Sequence, residues 1–238
     1  FANTLGYDEY YGRTEFDNDQ EFDGFWGIWD EPFFQFTKSI LDKKKTPFLS
    51  TIFTISSHEP YIIPKKYEGK FDKGNLPMHQ CVGYTDYSIS KFFESCRNSA
   101  WFEDTIFIFT ADHANQTFYP FYEKMVNRFA NPLMIYKLNS DLVGVDNQLA
   151  SHMDIFPTVA DLIDYPKPFR SWGRSLISDK KNDPFVINYF SGGSYFIMDE
   201  NYICVHNGYE AIGFYELDDK NFENNIISQK NQLMVHLE

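Results

Sequence analysis

The sequence predicts an α/β fold: a mainly parallel central sheet flanked by helices, followed by a small C-terminal antiparallel sheet. Three observations predict it. Residues 47–55, 105–111 and 132–136 are near-continuous apolar and β-branched runs without polar alternation, which suits strands buried on both faces. Helical patterns alternate with the first two runs, so the strands are joined by crossovers and pair in parallel. Beyond about Ser178 the pattern changes to short alternating runs divided by turn residues, as in hairpins. The chain has 238 residues, of which 25 are Phe and 16 Tyr, enough for one large domain with an appended subdomain. We place the division at 1–178 and 179–238.

Residues 1–30 are aromatic, acidic and Gly-punctuated, and read as loop with short elements. Asp30 is placed to cap a helix running to about Asp42, with Pro32 in its first turn and Phe33, Phe34, Phe36 and Ile40 on its apolar face. The run 47–55 then leads into Ser56-Ser-His-Glu-Pro-Tyr61, so that His58 stands at a strand's carboxyl end. Residues 62–78 are loop. Val82, Tyr87, Ile89, Phe93 and Cys96 mark a helix from about His79 to Ser99. After the central run comes an irregular stretch, 118–131, and then the third run. Ser151-His-Met-Asp-Ile-Phe-Pro-Thr158 starts a helix in which Pro157 is tolerated near the first turn. Four hairpin strands are expected near 186–190, 195–198, 202–205 and 212–217, and a polar tail, 221–231, as helix or coil.

Composition excludes some classes of function. The formal charge of -13 and the lack of a basic stripe argue against a nucleic-acid partner. No apolar run reaches the ~18 residues that would read as a membrane span. Cys81, Cys96 and Cys204 have no metal-site spacing and read as single thiols. Phe1 is no natural start and Leu237-Glu238 resembles a cloning remnant, so the chain is read as a piece of a longer protein.

The chemistry is concentrated at strand ends. The central run, Thr105-Ile-Phe-Ile-Phe-Thr-Ala-Asp-His-Ala-Asn115, stops at a carboxylate beside an imidazole. Ligand sites of open α/β sheets lie at the carboxyl ends of strands, and Asp112 with His113 offers an anionic oxygen and a neutral nitrogen to a metal. A plain alternative is a turn-capping Asp and a hydrogen-bonded His. His152 is read as bonded to backbone at a helix start, with a phosphate or metal role as the alternative. Asp154 and Thr158 are read as caps, and Asn115 as a turn residue.

Four segments in this order resemble the sulfatase / alkaline-phosphatase superfamily, in its lipoteichoic-acid-synthase-like (phosphoglycerol transferase) branch. They are Thr54-Ile-Ser-Ser-His-Glu-Pro-Tyr61, Val82-Gly-Tyr-Thr-Asp-Tyr-Ser-Ile-Ser-Lys-Phe-Phe93, Asp104-Thr-Ile-Phe-Ile-Phe-Thr-Ala-Asp-His113 and His152-Met-Asp-Ile-Phe-Pro-Thr-Val159, with Gly6-Tyr-Asp-Glu-Tyr-Tyr11 before them. The resemblance implies a divalent cation, manganese or magnesium, held in part by Asp112 and His113. It implies that His58 contacts the substrate phosphate or leaving group, and that the substrate is a phosphate or sulfate ester such as a glycerophospholipid headgroup. It further implies a domain on the extracytoplasmic face, anchored to the membrane by a missing N-terminal part. The family's first acidic ligand and Thr nucleophile lie upstream of the Gly-Tyr-Asp segment. The expectation is therefore the C-terminal portion of a catalytic domain, weak in metal binding and inactive alone. Two alternatives remain open: part of a sulfatase, or a non-catalytic envelope module with a degenerate anion site. None of the three cysteines lies in the Cys-x-Pro-x-Arg setting of sulfatases; they are followed by Val, Arg and Val.

Overall fold

The computed structural model describes residues 2–45, 47–178 and 184–229; Phe1, Leu237 and Glu238, on which part of the sequence reading rests, lie outside them. Its contacts group the chain into two units, Phe1–Phe109 with Met134–Leu142, and Thr110–Leu133 with Val143–Glu238.

The first unit is built on two helices. After the short α1 (Arg13–Phe16), α2 (Asp30–Leu41) buries Asp30, Phe34, Thr37 and Leu41, and α3 (Met78–Cys96) buries Cys81, Tyr84, Ser88, Phe92 and Cys96. Both sets follow the three- and four-residue steps of a helix face. Phe34 of α2 meets Phe92 of α3 at 5.2 Å between ring centroids. Phe102, Trp101, Phe107 and Ile52 close this aromatic core. The buried face of α3 differs from the expected one, because Val82 is exposed and the small polar Ser88 is inside. Ser88 tolerates burial because its hydroxyl donates to the Tyr84 carbonyl at 2.8 Å. Beyond α2, Asp42 accepts from Ser99 Oγ at 2.7 Å and from Trp101 Nε1 at 2.9 Å, tying the helix exit to the turn after α3.

Strands β1 (Phe107–Thr110) and β2 (Leu133–Tyr136) form a two-stranded sheet. Three expectations are corrected here. Residues 47–55 run extended but belong to no strand, and Leu49 and Phe53 are 79% and 70% exposed. β2 alternates, with Leu133 and Ile135 turned in and Met134 and Tyr136 exposed. Phe107 to Phe109 are only half-buried. The physical reason is that an apolar run reports a tendency to be covered, whereas a strand also needs a neighbour whose N–H and C=O groups complete its ladder.

In the second unit a separate antiparallel sheet has the order β3 (Val186–Ser191), β4 (Ser194–Met198), β5 (Tyr202–His206), β6 (Ala211–Glu216). Each strand lies within two residues of its expected place. Gly192 and Gly193, at φ +58° and +86°, make the β3–β4 turn, where two consecutive positive φ values suit glycine. One face packs Phe196, Ile203, Val205 and Tyr215 against Val126, and the other packs Cys204 and Phe214 against Ile226 and Ile227. The unit also holds α4 (Pro120–Glu123) and α5 (Ile155–Leu162). Asp154 stands at the N-cap position of α5 but its carboxylate does not cap that helix, which corrects the expectation: it accepts the Ser151 N–H at 2.8 Å, closing a capping box on the 3-10 turn His152–Asp154, and the Arg174 N–H at 2.8 Å. Thr158, expected as a cap, is instead an interior residue of α5. It donates to the Asp154 carbonyl at 2.6 Å and accepts the Leu176 N–H at 3.0 Å. The tail to Gln229 is turn, ending in one 3-10 turn. Among the described residues no helix is long and apolar enough to cross a membrane.

Candidate functional site

His58 belongs to the first unit, on a turn that follows the extended segment. Its backbone N–H donates to the Ile55 carbonyl at 3.1 Å, and its own carbonyl accepts the Tyr61 N–H at 3.1 Å. The turn is anchored from below by Asp30, which is 2% exposed. One Asp30 oxygen accepts the backbone N–H groups of Ile55 and Ser56 at 3.0 and 3.1 Å, and the other accepts the Thr85 hydroxyl of α3 at 2.8 Å. Ser56 Oγ in turn accepts the Asp30 N–H at 3.1 Å. The role first read for Asp30, a side-chain cap of α2, is therefore corrected: the N-cap position is Trp29, which makes no side-chain cap bond, and Asp30 spends its oxygens on the His58 turn and on Thr85. A buried carboxylate persists only where donors satisfy it, and these three do.

The side chain of His58 is exposed and lies against Trp26, ring centroids 4.1 Å apart at 50°. His58 Nδ1 stands 3.1 Å from the Glu59 carbonyl oxygen. A carbonyl can only accept, so Nδ1 carries the hydrogen and Nε2 the lone pair.

Asp112 and His113 follow β1 in the second unit. Asp112 Oδ1 accepts the His113 backbone N–H at 2.9 Å. His113 Nδ1 lies 2.8 Å from the Ala114 carbonyl, which makes Nδ1 the donor and leaves the lone pair on Nε2. That nitrogen stands 3.6 Å from Asp112 Oδ2, and both side chains are more than half exposed. The structure thus sets an anionic oxygen beside an imidazole nitrogen that, in the neutral ring, carries the lone pair. His152 supports the same place from behind: its Nε2 donates to the Ala111 carbonyl at 2.8 Å and lies 3.3 Å from Thr110 Oγ1. It fixes the strand end one residue before Asp112 and, in this tautomer, has no lone pair at Nε2. Among the described residues no group of three or more His, Cys, Asp or Glu side chains is placed to hold an ion.

A family model for sulfatases matches residues 1–165. The chain belongs to the sulfatase family. It is 23% identical over 217 residues to the lipoteichoic acid synthase of Staphylococcus saprophyticus, covering 84% of this chain and 33% of that protein. It is 24% identical over 198 residues to lipoteichoic acid synthase 1 of Bacillus subtilis, covering 75% and 31%. The chain therefore spans about a third of the length of these relatives. Among solved structures it is similar to an alkaline phosphatase superfamily protein from Vibrio parahaemolyticus, with a TM-score of 0.71 at 23% identity, over 94% of this chain and 59% of that one. It is also similar to a lipoteichoic acid synthase from Listeria monocytogenes, with a TM-score of 0.69 at 16% identity, over 91% and 58%. Within the sulfatase / alkaline-phosphatase superfamily, the likeness is to the lipoteichoic-acid-synthase branch.

In this sulfatase-family chain the cysteines are poor nucleophiles. Burial, followed by the negative charge of Asp30, pushes the Cys81 thiol up to about 11, and burial pushes Cys96 up to about 11. Cys204 is fully buried. Sequence reasoning singled out His58, Asp112 and His113 but missed the supporting side chains Trp26 and Asp30. The Trp of Gly24-Phe-Trp-Gly27 and the Asp before Glu31-Pro32 carry no spacing that points across more than twenty residues to His58.

Proposed function

We propose that this chain carries part of the site of a metal-dependent phosphoglycerol transferase or phosphodiesterase of the cell envelope. The observation that carries this reading is the Asp112–His113 pair: adjacent residues whose carboxylate and imidazole lone pair face one another, with each tautomer and rotamer held by backbone. As a donor set the pair fits a divalent cation, manganese or magnesium, but supplies only one anionic oxygen, where such ions take several oxygen ligands. The fit is therefore partial, and binding by this chain is weak. When bound, the cation neutralises charge on phosphoryl oxygens and lowers the pKa of a hydroxyl nucleophile. The chain's own residues do the rest. Asp112 and His113 would hold the ion, and His58, once protonated at Nε2, donates that hydrogen to a substrate oxygen, contacting the phosphate or protonating the leaving group.

In this proposal 47–55 and β1 belong to a parallel sheet completed by further strands of the longer fold, with His58 and the Asp112–His113 pair each beyond the carboxyl end of its own strand. The exposed apolar side chains Leu49, Phe53 and Met134 are surface that the rest of that longer fold would cover. Residues 1–178 contribute to the catalytic domain and 179–238 form its appended subdomain. The parent protein is membrane-anchored, acts on the extracytoplasmic face and takes a glycerophospholipid headgroup. Alone, the 238-residue chain does not turn over, because the nucleophile lies outside it.

A second reading, a sulfuric ester hydrolase, is favoured by the family model, whose name is sulfatase. An assay separates the two. With manganese present, a polypeptide joining this chain to the family's nucleophile-bearing segment should hydrolyse bis(p-nitrophenyl) phosphate and not p-nitrophenyl sulfate. His58→Ala should lower the rate by about 100-fold or more, the usual scale for losing an acid–base group. Turnover of the sulfate ester in preference to the phosphate would favour the second reading.

A further inference from the structure

Trp26 is a large apolar side chain left 59% exposed, yet its placement is closely determined. Asp23 Oδ1 accepts the backbone N–H groups of Phe25, Trp26 and Gly27 at 2.8, 2.8 and 3.0 Å. The Asp23 N–H donates to the Gly27 carbonyl at 2.9 Å, and Phe22 bridges Ile28. Gly27 sits so close to the His58 segment that a Cβ there would lie 3.4 Å from Ile55 Cγ1. This closed loop delivers the indole onto the imidazole of His58. The indole Nε1 donates to the Glu59 carbonyl at 2.8 Å, the same oxygen that faces His58 Nδ1 at 3.1 Å. A carbonyl has two lone pairs, and here each has one donor.

From this we infer that Trp26 is a positioning residue for His58, a role that rests on the reading of His58 as the substrate-facing imidazole. The indole does two things through one geometry. Its ring face limits rotation of the imidazole about χ2, and its N–H pins the Glu59 carbonyl where it accepts from Nδ1. Together they hold His58 as the Nδ1–H tautomer and keep the lone pair at Nε2, the ring nitrogen farther from the backbone. That is the atom that can take up a proton, forming the imidazolium, and then give it to a substrate oxygen while Nδ1–H stays on the Glu59 carbonyl. Stability alone gives no reason for a half-solvated indole whose ring lies against one histidine and whose N–H goes to the carbonyl that faces that histidine's Nδ1.

The test is nitrogen-15 NMR of the imidazole rings in the 238-residue chain and in Trp26→Ala and Trp26→Phe, with His58→Gln to assign the signals. In the parent chain His58 should show the Nδ1–H pattern. In Trp26→Ala that pattern should give way to a mixture containing Nε2–H. Trp26→Phe, which keeps a ring face but no donor, should lie between the two, with amide signals of α2 and α3 unmoved in both. The same tautomer pattern in all three folded proteins would overturn the inference; should the alanine variant fail to fold, the phenylalanine variant decides alone. A titration with glycerol phosphate tests the underlying reading separately. If His58 shifts tautomer on loss of Trp26 but ignores glycerol phosphate in the parent chain, the positioning stands and the substrate role of His58 falls.

Discussion

At the scale of single residues, the buried Asp30 has the largest consequences. Its oxygens take three donors, two of them the N–H groups of Ile55 and Ser56 just before His58. Removing the carboxylate leaves those donors buried and unpaired, each a cost of order 1–3 kcal/mol. Asp30→Ala should therefore destabilise the chain by about 2–4 kcal/mol in urea unfolding, and Asp30→Asn, which keeps one oxygen, by less. The thiols are a second case. With Cys81 and Cys96 pushed up to about 11 by burial and Cys204 enclosed, none should react with Ellman's reagent at pH 8 in the folded chain, while all three react in urea. A residue-scale reading of the sequence singled out His58, Asp112 and His113 as candidates because each sits in a recognisable string at the end of an apolar run. It could not find Trp26 or assign Asp30, because both act across the fold. Asp30 even carried a competing local signal, since Asp before a Pro-containing first turn reads as a helix cap.

At the scale of elements, side chains tie helix ends to the loops beside them. Thr158 of α5 is fully buried and joins the Asp154 carbonyl to the Leu176 N–H. Thr158→Val keeps the shape and removes both bonds, so it should cost about 1–3 kcal/mol by the same unfolding measurement. Asp42, just past α2, links Lys38, Ser99 and Trp101. Burial pushes its carboxyl up, but the hydrogen bonds from those three outweigh it and hold the group below its ordinary value. A carboxylate depressed in the folded state stabilises above its unfolded pKa of about 3.9 and loses that contribution as pH falls through the folded value. The unfolding midpoint should decline in the acid range below about pH 4, and Asp42→Asn should flatten that limb. The helices and the hairpin sheet were legible because periodicity and paired glycines are local signals. The central strands were legible only as apolar runs. Whether 47–55 becomes a strand depends on a ladder partner far away in sequence, which no local pattern reports.

At the scale of the whole molecule, the family was legible from the order and spacing of several weak strings, none decisive alone, and the sulfatase-family match over residues 1–165 establishes it. The completeness of the site was not legible in the same way, because it depends on groups that adjacent residues cannot supply. In the proposed site, the His113 nitrogen and the Asp112 oxygen 3.6 Å away, only the latter anionic, would form half of a metal centre. The central claim is that this half-site is real, specific and weak. Calorimetric titration of the 238-residue chain with manganese, alongside Asp112→Ala, tests it most directly. The account predicts shallow binding, well weaker than micromolar, that disappears in the variant. Micromolar affinity lost in Asp112→Ala would contradict the claim that the pair is incomplete, and an unchanged titration in that variant would contradict the claim that Asp112 holds the ion.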